Sequence, residues 1–189
     1  MFDRLLSRSL TFSAVLFVLA VMGGVLAVRQ DPAFGHELLA GFRDQVALQV
    51  QSDHPVVLFA KIFVNNLVAC IALFVGGGTF GILPLLVLSS NGLVIGGIVE
   101  MVRQEKGTGF ILAAILPHGV LEIPAFLVSA GLGFLLAEAL ARELLQDEGD
   151  ASQEALDHGR LFVRYVIPFL MVAAAVEAFI TPHILQLIS

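Results

Sequence analysis

The chain has 189 residues, of which 58% are hydrophobic and 14% charged, with a formal net charge of −6. A mean hydropathy of +0.93 excludes a water-soluble globular domain, which runs nearer about a quarter charged and has no way to hide so much apolar surface. With no basic stripe interleaved with aromatics, the acidic balance also excludes nucleic acid as a partner.

Residues 1–28 combine a charged start with an apolar middle, as a signal peptide does. The apolar part, about 10–28, is nearly a full span and lacks a clear small-residue cleavage site, so a retained first helix is expected. Four further apolar segments follow, roughly 55–75, 82–102, 110–140 and 161–188, each long enough to cross a hydrocarbon core of about 30 Å. An open strand cannot span lipid, so all five are predicted helices. The expectation is an all-α integral membrane protein: one polytopic domain over 1–189, multi-pass in the cell membrane, with the lipid bilayer as its first partner.

The connections carry their own signals. Residues 29–54 place Phe34, Leu38, Leu39, Phe42, Val46, Leu48 and Val50 in a helix-like pattern among charges, which predicts an amphipathic helix on the membrane surface or capping the bundle. The glycine-rich turn GGGTFG at 76–81 makes the second and third segments an antiparallel hairpin. Residues 141–160 are acidic and polar and read as a loop or helical extension in water. The fourth segment is too long for a simple crossing. At about 1.5 Å per residue its roughly 31 residues reach some 46 Å, and it contains Pro117 and Pro124, each of which removes a backbone donor. A break or kink is expected at 117–119, with 110–116 as a short re-entrant or interfacial piece.

Orientation rests on a level count. An N-terminus inside puts Arg4, Arg8, Arg142, Arg160 and Arg164 in the cytoplasm and Arg29, Arg43, Lys61, Arg103 and Lys106 outside. Arg4 and Arg8 beside the first helix favour N-inside, with the C-terminus outside. Cys70 is the sole cysteine and lies in an apolar segment, which excludes an intramolecular disulfide and a cysteine-rich metal site.

The polar residues inside the spans are the strongest functional signal. His118 and Glu122 stand four residues apart and share one helix face. A charge near the bilayer centre is costly unless paired, protonated or wetted, so such residues face a bundle interior and mark a site. Asn65 and Asn66 fall at the centre of the second segment, Asn91 at the centre of the third, and Glu122 and Glu177 close to the centres of the fourth and fifth. Leakage of polar residues would scatter them toward the ends, so a shared midplane cluster is expected.

Three chemistries are open to it. His118, Glu122 and Glu177 form a nitrogen and oxygen donor set for a divalent cation such as zinc, with an Asn carbonyl as a further ligand. The two glutamates also suit a proton or cation path. Alternatively the cluster is a static, hydrogen-bonded core, in which His118 satisfies carbonyls freed by the prolines and the asparagines act as glue between helices. The H-x-x-x-E spacing lacks the H-E-x-x-H arrangement of zinc proteases. No serine or cysteine nucleophile is evidently paired with a base, so an intramembrane metal-dependent hydrolase ranks third. The small-residue steps Gly77/Gly81, Gly92/Gly96 and Ala173/Glu177/Thr181 let helices approach closely and make a homo-oligomer plausible.

At these same residues the chain resembles a known family. PHGVLEIPAFLVSAGLG at 117–133 is similar to the signature of the stage II sporulation protein M family, and FVNNLVA, SSNGLVIGG and VEAFITP match it in order. The resemblance runs from Phe63 to Pro182 and implies a multispan helical membrane protein. Its matching positions are Asn65, Asn66, Asn91, Gly92, Pro117, His118, Gly119, Glu122, Pro124, Glu177 and Pro182. The family's namesake in spore-forming bacteria looks like a membrane scaffold that recruits peptidoglycan-degrading partners, while similar proteins occur in prokaryotes that never sporulate. The leading expectation is a membrane component of a cell-envelope process whose buried site binds a cation or passes a small solute. Its rival is a scaffold recruiting envelope partners, with a purely structural cluster.

Overall fold

Hydrocarbon offers the backbone no hydrogen-bond partner, and each apolar segment closes its bonds on itself. The computed structural model describes residues 2–38, 40 and 54–187, and all the regular structure among them is helical. In chain order the helices are α1 (Phe2–Gln30), α2 (Pro55–Val75), α3 (Ile82–Lys106), α4 (Thr108–Gln146), α5 (Ala151–Leu161), α6 (Ile167–Phe179) and α7 (Thr181–Gln186). Among the described residues, five stretches are long and apolar enough to cross a membrane: Arg4–Gln30, Pro55–Thr79, Ile82–Lys106, Thr108–Gln146 and Ala151–Ile184. The last is composite, because a π-helical turn at Phe162–Val166 joins α5 to α6.

Local chemistry sets the ends. Pro55 opens α2, where its missing donor costs nothing, and His54 Nδ1 accepts from the Val56 amide at 3.4 Å. The predicted hairpin is present. A 3₁₀ turn at Gly76–Thr79 leads into Phe80 and Gly81, both in the left-handed region, and Thr79 ties the turn together by donating to the Gly76 carbonyl and accepting from the Leu83 amide. Residues 141–160 are mostly helical. α4 ends at a left-handed Asp147, Asp150 caps α5 by accepting from the Gln153 amide at 2.9 Å, and Arg142 grips Glu154 through two 2.9 Å contacts. Asp31 interrupts the chain after α1. Residues 32–38 then form a short helical stretch that folds back, with Gly35 against Met101 and Val28. The rest of the predicted amphipathic helix at 29–54 lies outside the described residues.

Of the break or kink expected at 117–119, the break is absent. α4 is one continuous 39-residue helix with Pro117 and Pro124 inside it, and residues 110–116 are simply its first turns. Each proline deletes one hydrogen bond, to the carbonyls of Ala113 and Val120, while the bonds around it persist and neighbouring helices hold the path. The length argument fails for a different reason. About 58 Å of helix exceeds the bilayer, and the surplus length falls where the sequence turns charged, at Glu138, Arg142 and Glu143.

α4 is the most buried of the five spans, and every other span touches it. Glycines bring the backbones together. A methyl group on Gly133 would collide with the Leu73 carbonyl oxygen, and one on Gly77 with the Gly133 carbonyl oxygen, so α2 and α4 touch main chain to main chain. The same happens between α1 and α3, where Gly96 abuts the Val21 carbonyl and Gly24 the Leu93 carbonyl. In both pairs the contacting residue numbers rise together, so the partners are parallel. Phe59 beside Phe179 and Phe74 beside Phe162 run the opposite way and set the last span antiparallel to α2. At the end of the α1/α3 seam lies Glu100, 2% exposed, which accepts from Arg29 Nε at 2.9 Å, Arg103 Nε and Nη2 at 2.8 Å, and Gln104 Nε2 at 3.1 Å.

The glycine contacts give a direct expectation. Gly133→Ala forces a methyl into the Leu73 carbonyl and is expected to cost about 1–3 kcal/mol, whereas Gly109→Ala, with open space around it, should be neutral or slightly stabilising. Thermal unfolding of the two purified variants in detergent checks the contrast.

Candidate functional site

α4 supplies two of the site's side chains and α6 the third. On α4, His118 and Glu122 are one turn apart and project from the same face. Their neighbours Gly119 and Ala125 are buried. α6 brings Glu177 to them. One ligand atom from each of His118, Glu122 and Glu177 lies within 4.8 Å of the others, and all three residues are half-buried. The convergence expected of these three residues is therefore observed. His118 Nδ1 is buried and has no hydrogen-bond partner among the described residues.

That donor set suits a divalent cation. Zinc binds histidine nitrogen at about 2.0–2.1 Å and carboxylate oxygen at about 2.0–2.2 Å. Tetrahedral donors then sit roughly 3.4 Å apart, so side-chain adjustments of about an ångström would close the three groups on an ion. Three protein ligands also leave a fourth position free, where a water or an amide carbonyl completes the shell.

The asparagines behave differently. Asn91 is half-buried and turns its amide back on its own helix, donating to the Val87 carbonyl at 2.8 Å. Asn65 donates to Asn66 at 3.4 Å, and Asn65 lies on the exposed outer face of α2 while Asn66 is half-buried. Among the described residues no hydrogen bond joins any of them to the His118, Glu122 and Glu177 group. Equal depth in the sequence does not fix rotation about the helix axis, and rotation decides which side chains meet. Cys70 is buried in the core with Leu132, Val166 and Leu170 and serves packing. Sequence reasoning missed the Glu100 cluster. Its signal was present in Arg29 and Arg103, two cations at the same end of neighbouring spans, with one acid a turn before Arg103.

The fold and this cluster define a multi-pass α-helical membrane protein with one imidazole and two carboxyl groups brought together within its spans. The chain belongs to the stage II sporulation protein M family, whose sequence profile matches residues 13–182. It is also similar to two uncharacterized proteins of Methanocaldococcus jannaschii. One is 31% identical over 129 residues, covering 67% of this chain and 72% of the relative. The other is 27% identical over 180 residues, covering 92% of this chain and 78% of the relative. No solved structure matches the chain.

Residues that share one pocket couple energetically. The destabilisations caused by His118→Ala and Glu177→Gln are expected to depart from additivity by about 0.5–3 kcal/mol in the double variant. Glu177→Gln combined with Gly109→Ala should add within about 0.5 kcal/mol. Melting temperatures of the six proteins, wild type and the three single variants included, decide between coupled and independent residues.

Proposed function

We propose that this protein handles a cation within the membrane, as a component of a cell-envelope process, with His118, Glu122 and Glu177 as the ligands of a divalent ion such as zinc or as stations on its path. The observation that carries the reading is the approach of one imidazole and two carboxyl groups to within 4.8 Å of one another inside membrane spans. Two acidic groups that close, in surroundings of low dielectric, call for positive charge between them. The Nδ1 of His118, without a hydrogen-bond partner among the described residues, adds a nitrogen ligand. A glutamine pair would supply hydrogen bonds at lower cost, so a purely adhesive role does not explain the choice of glutamate.

A second reading is favoured by Asn65. Its amide faces outward in the middle of a span, where lipid gives it no partner, and its bond to Asn66 uses only part of its capacity. Association with a second copy or with an envelope protein through this face of α2 would satisfy it, as a scaffold requires.

One experiment separates the readings. Wild type and Glu122→Gln are purified without added metal and their thermal stability is measured in detergent with and without zinc, magnesium and calcium. A ligand that binds only the folded state at 100 times its dissociation constant adds about 2.7 kcal/mol, on the order of 5–10 °C for a chain of this size. Cation handling predicts such a rise for the wild type and its loss in the variant, because the amide keeps the shape but not the charge. No rise in the wild type, together with an equal or higher melting temperature for Glu122→Gln, would transfer the assignment to the scaffold, since removing a buried ionisable group from a merely structural cluster relieves a cost.

A further inference from the structure

Away from the cluster, a cavity of about 230 Å³ lies between the start of α1 and the junction of the last span, with α4 as its floor. Leu6 and Leu10 line it from α1, Ala125, Val128 and Leu132 from α4, and Leu161, Tyr165, Val166 and Phe169 from the last span. The lining is wholly apolar. Tyr165 is 47% and Phe169 43% exposed, so the cavity opens sideways onto the surface that faces lipid.

Its wall is built by the π-helical turn. Pro168 cannot donate to the Arg164 carbonyl, and the Ile167 amide reaches the Phe162 carbonyl instead, which inserts an extra residue into the turn. That turn carries Arg164, whose guanidinium stands over the Tyr165 ring at 5.6 Å from its centre. Arg164 is exposed and has no acidic partner among the described residues. Arg160, one turn earlier, is already engaged by Asp157 at 2.6 Å. Across the groove, the start of α1 brings Arg4 and Arg8, both exposed, and α1 and the last span run parallel, so these cations lie toward the same membrane boundary. Residues 1–12 and 161–169 together hold Arg4, Arg8 and Arg164 against the single acid Asp3.

We propose that this groove binds a glycerophospholipid with an anionic headgroup. One acyl chain lies along Leu10, Val128, Leu132 and Phe169, and the phosphate sits against Arg164. The chemistry is complementary at both ends. An apolar groove open to the bilayer takes a hydrocarbon chain, and a guanidinium held by cation–π contact at the boundary offers paired donors to a phosphate. The arginines of α1 add long-range attraction to the headgroup's negative charge.

The test uses the full chain in detergent, exchanged into equal amounts of phosphatidylglycerol and phosphatidylcholine and read by native mass spectrometry after controlled stripping of loosely held lipid. The wild type is expected to retain phosphatidylglycerol about fivefold better than phosphatidylcholine, the discrimination that roughly one arginine near the surface supplies. Arg164→Gln should cut that preference to the small remainder that Arg4 and Arg8 supply at longer range. Val128→Phe, which fills the groove, should lose both, with size-exclusion behaviour and helical content of each variant confirming the fold. Equal retention of the two lipids by the wild type, an unchanged preference in Arg164→Gln, or undiminished retention by a folded Val128→Phe would each overturn the proposal. A stable dimer that shields Tyr165 and excludes lipid would overturn it in favour of a second copy as the occupant.

Discussion

Backbone contact between α4 and α2 determines the geometry of everything else. Gly133 and Gly77 remove the side chains that would hold the two helices apart, and the Leu73 carbonyl settles onto the α4 backbone. In lipid there is no hydrophobic gain from burying one apolar helix against another, so close packing is the main source of attraction between spans. Such contact also fixes register, because a shift along either helix would drive a larger side chain into a carbonyl. With α2 locked to α4, the paired aromatics Phe59/Phe179 and Phe74/Phe162 position the last span, and Glu177 comes to the depth of His118 and Glu122.

The site is therefore held by rigid elements rather than by loops. Two of its groups come from successive turns of one helix and the third from a neighbour, an arrangement that keeps donors near one another without the support of a loop or a bound partner. The hydrogen bonds of the asparagines run elsewhere. Asn91 spends its amide on its own helix, and the Asn65/Asn66 pair leaves one member facing outward. Polar groups at one depth thus divide into an inward cluster with acid and base character and an outward amide suited to association.

Much of this was legible in the sequence. Apolar length and the absence of alternatives to helix gave the five spans, the family motif gave the matching positions, and the i, i+4 spacing of His118 and Glu122 placed them on one face. Glu177 was legible only as a depth, which happened to coincide with a favourable rotation, whereas depth alone did not reveal that Asn91 donates to its own helix. Pro117 does not break the helix, because a proline is a local deficit of one hydrogen bond, and a helix embedded among four others withstands it. The π turn at Phe162–Val166 was not legible, since nothing in FVRYV marks it apart from the proline that follows. Glu100 was passed over because an acid near a span's end looks solvated until a neighbouring helix covers it.

The seam between α1 and α3 bears on how the protein is made. These two parallel spans share the glycine contacts and the Glu100 clamp, yet α2 must cross in the opposite direction between them. Arg29 leaves the ribosome well before Glu100, and at about 5–20 residues per second α1 waits some 4–15 s for its partner. During that interval Gly24 faces lipid alone, and α1 has only its apolar length to keep it in the bilayer. Insertion and assembly are thus separate stages for this chain: each helix earns its place in the membrane by hydropathy, and the α1/α3 contact forms only after three crossings are complete.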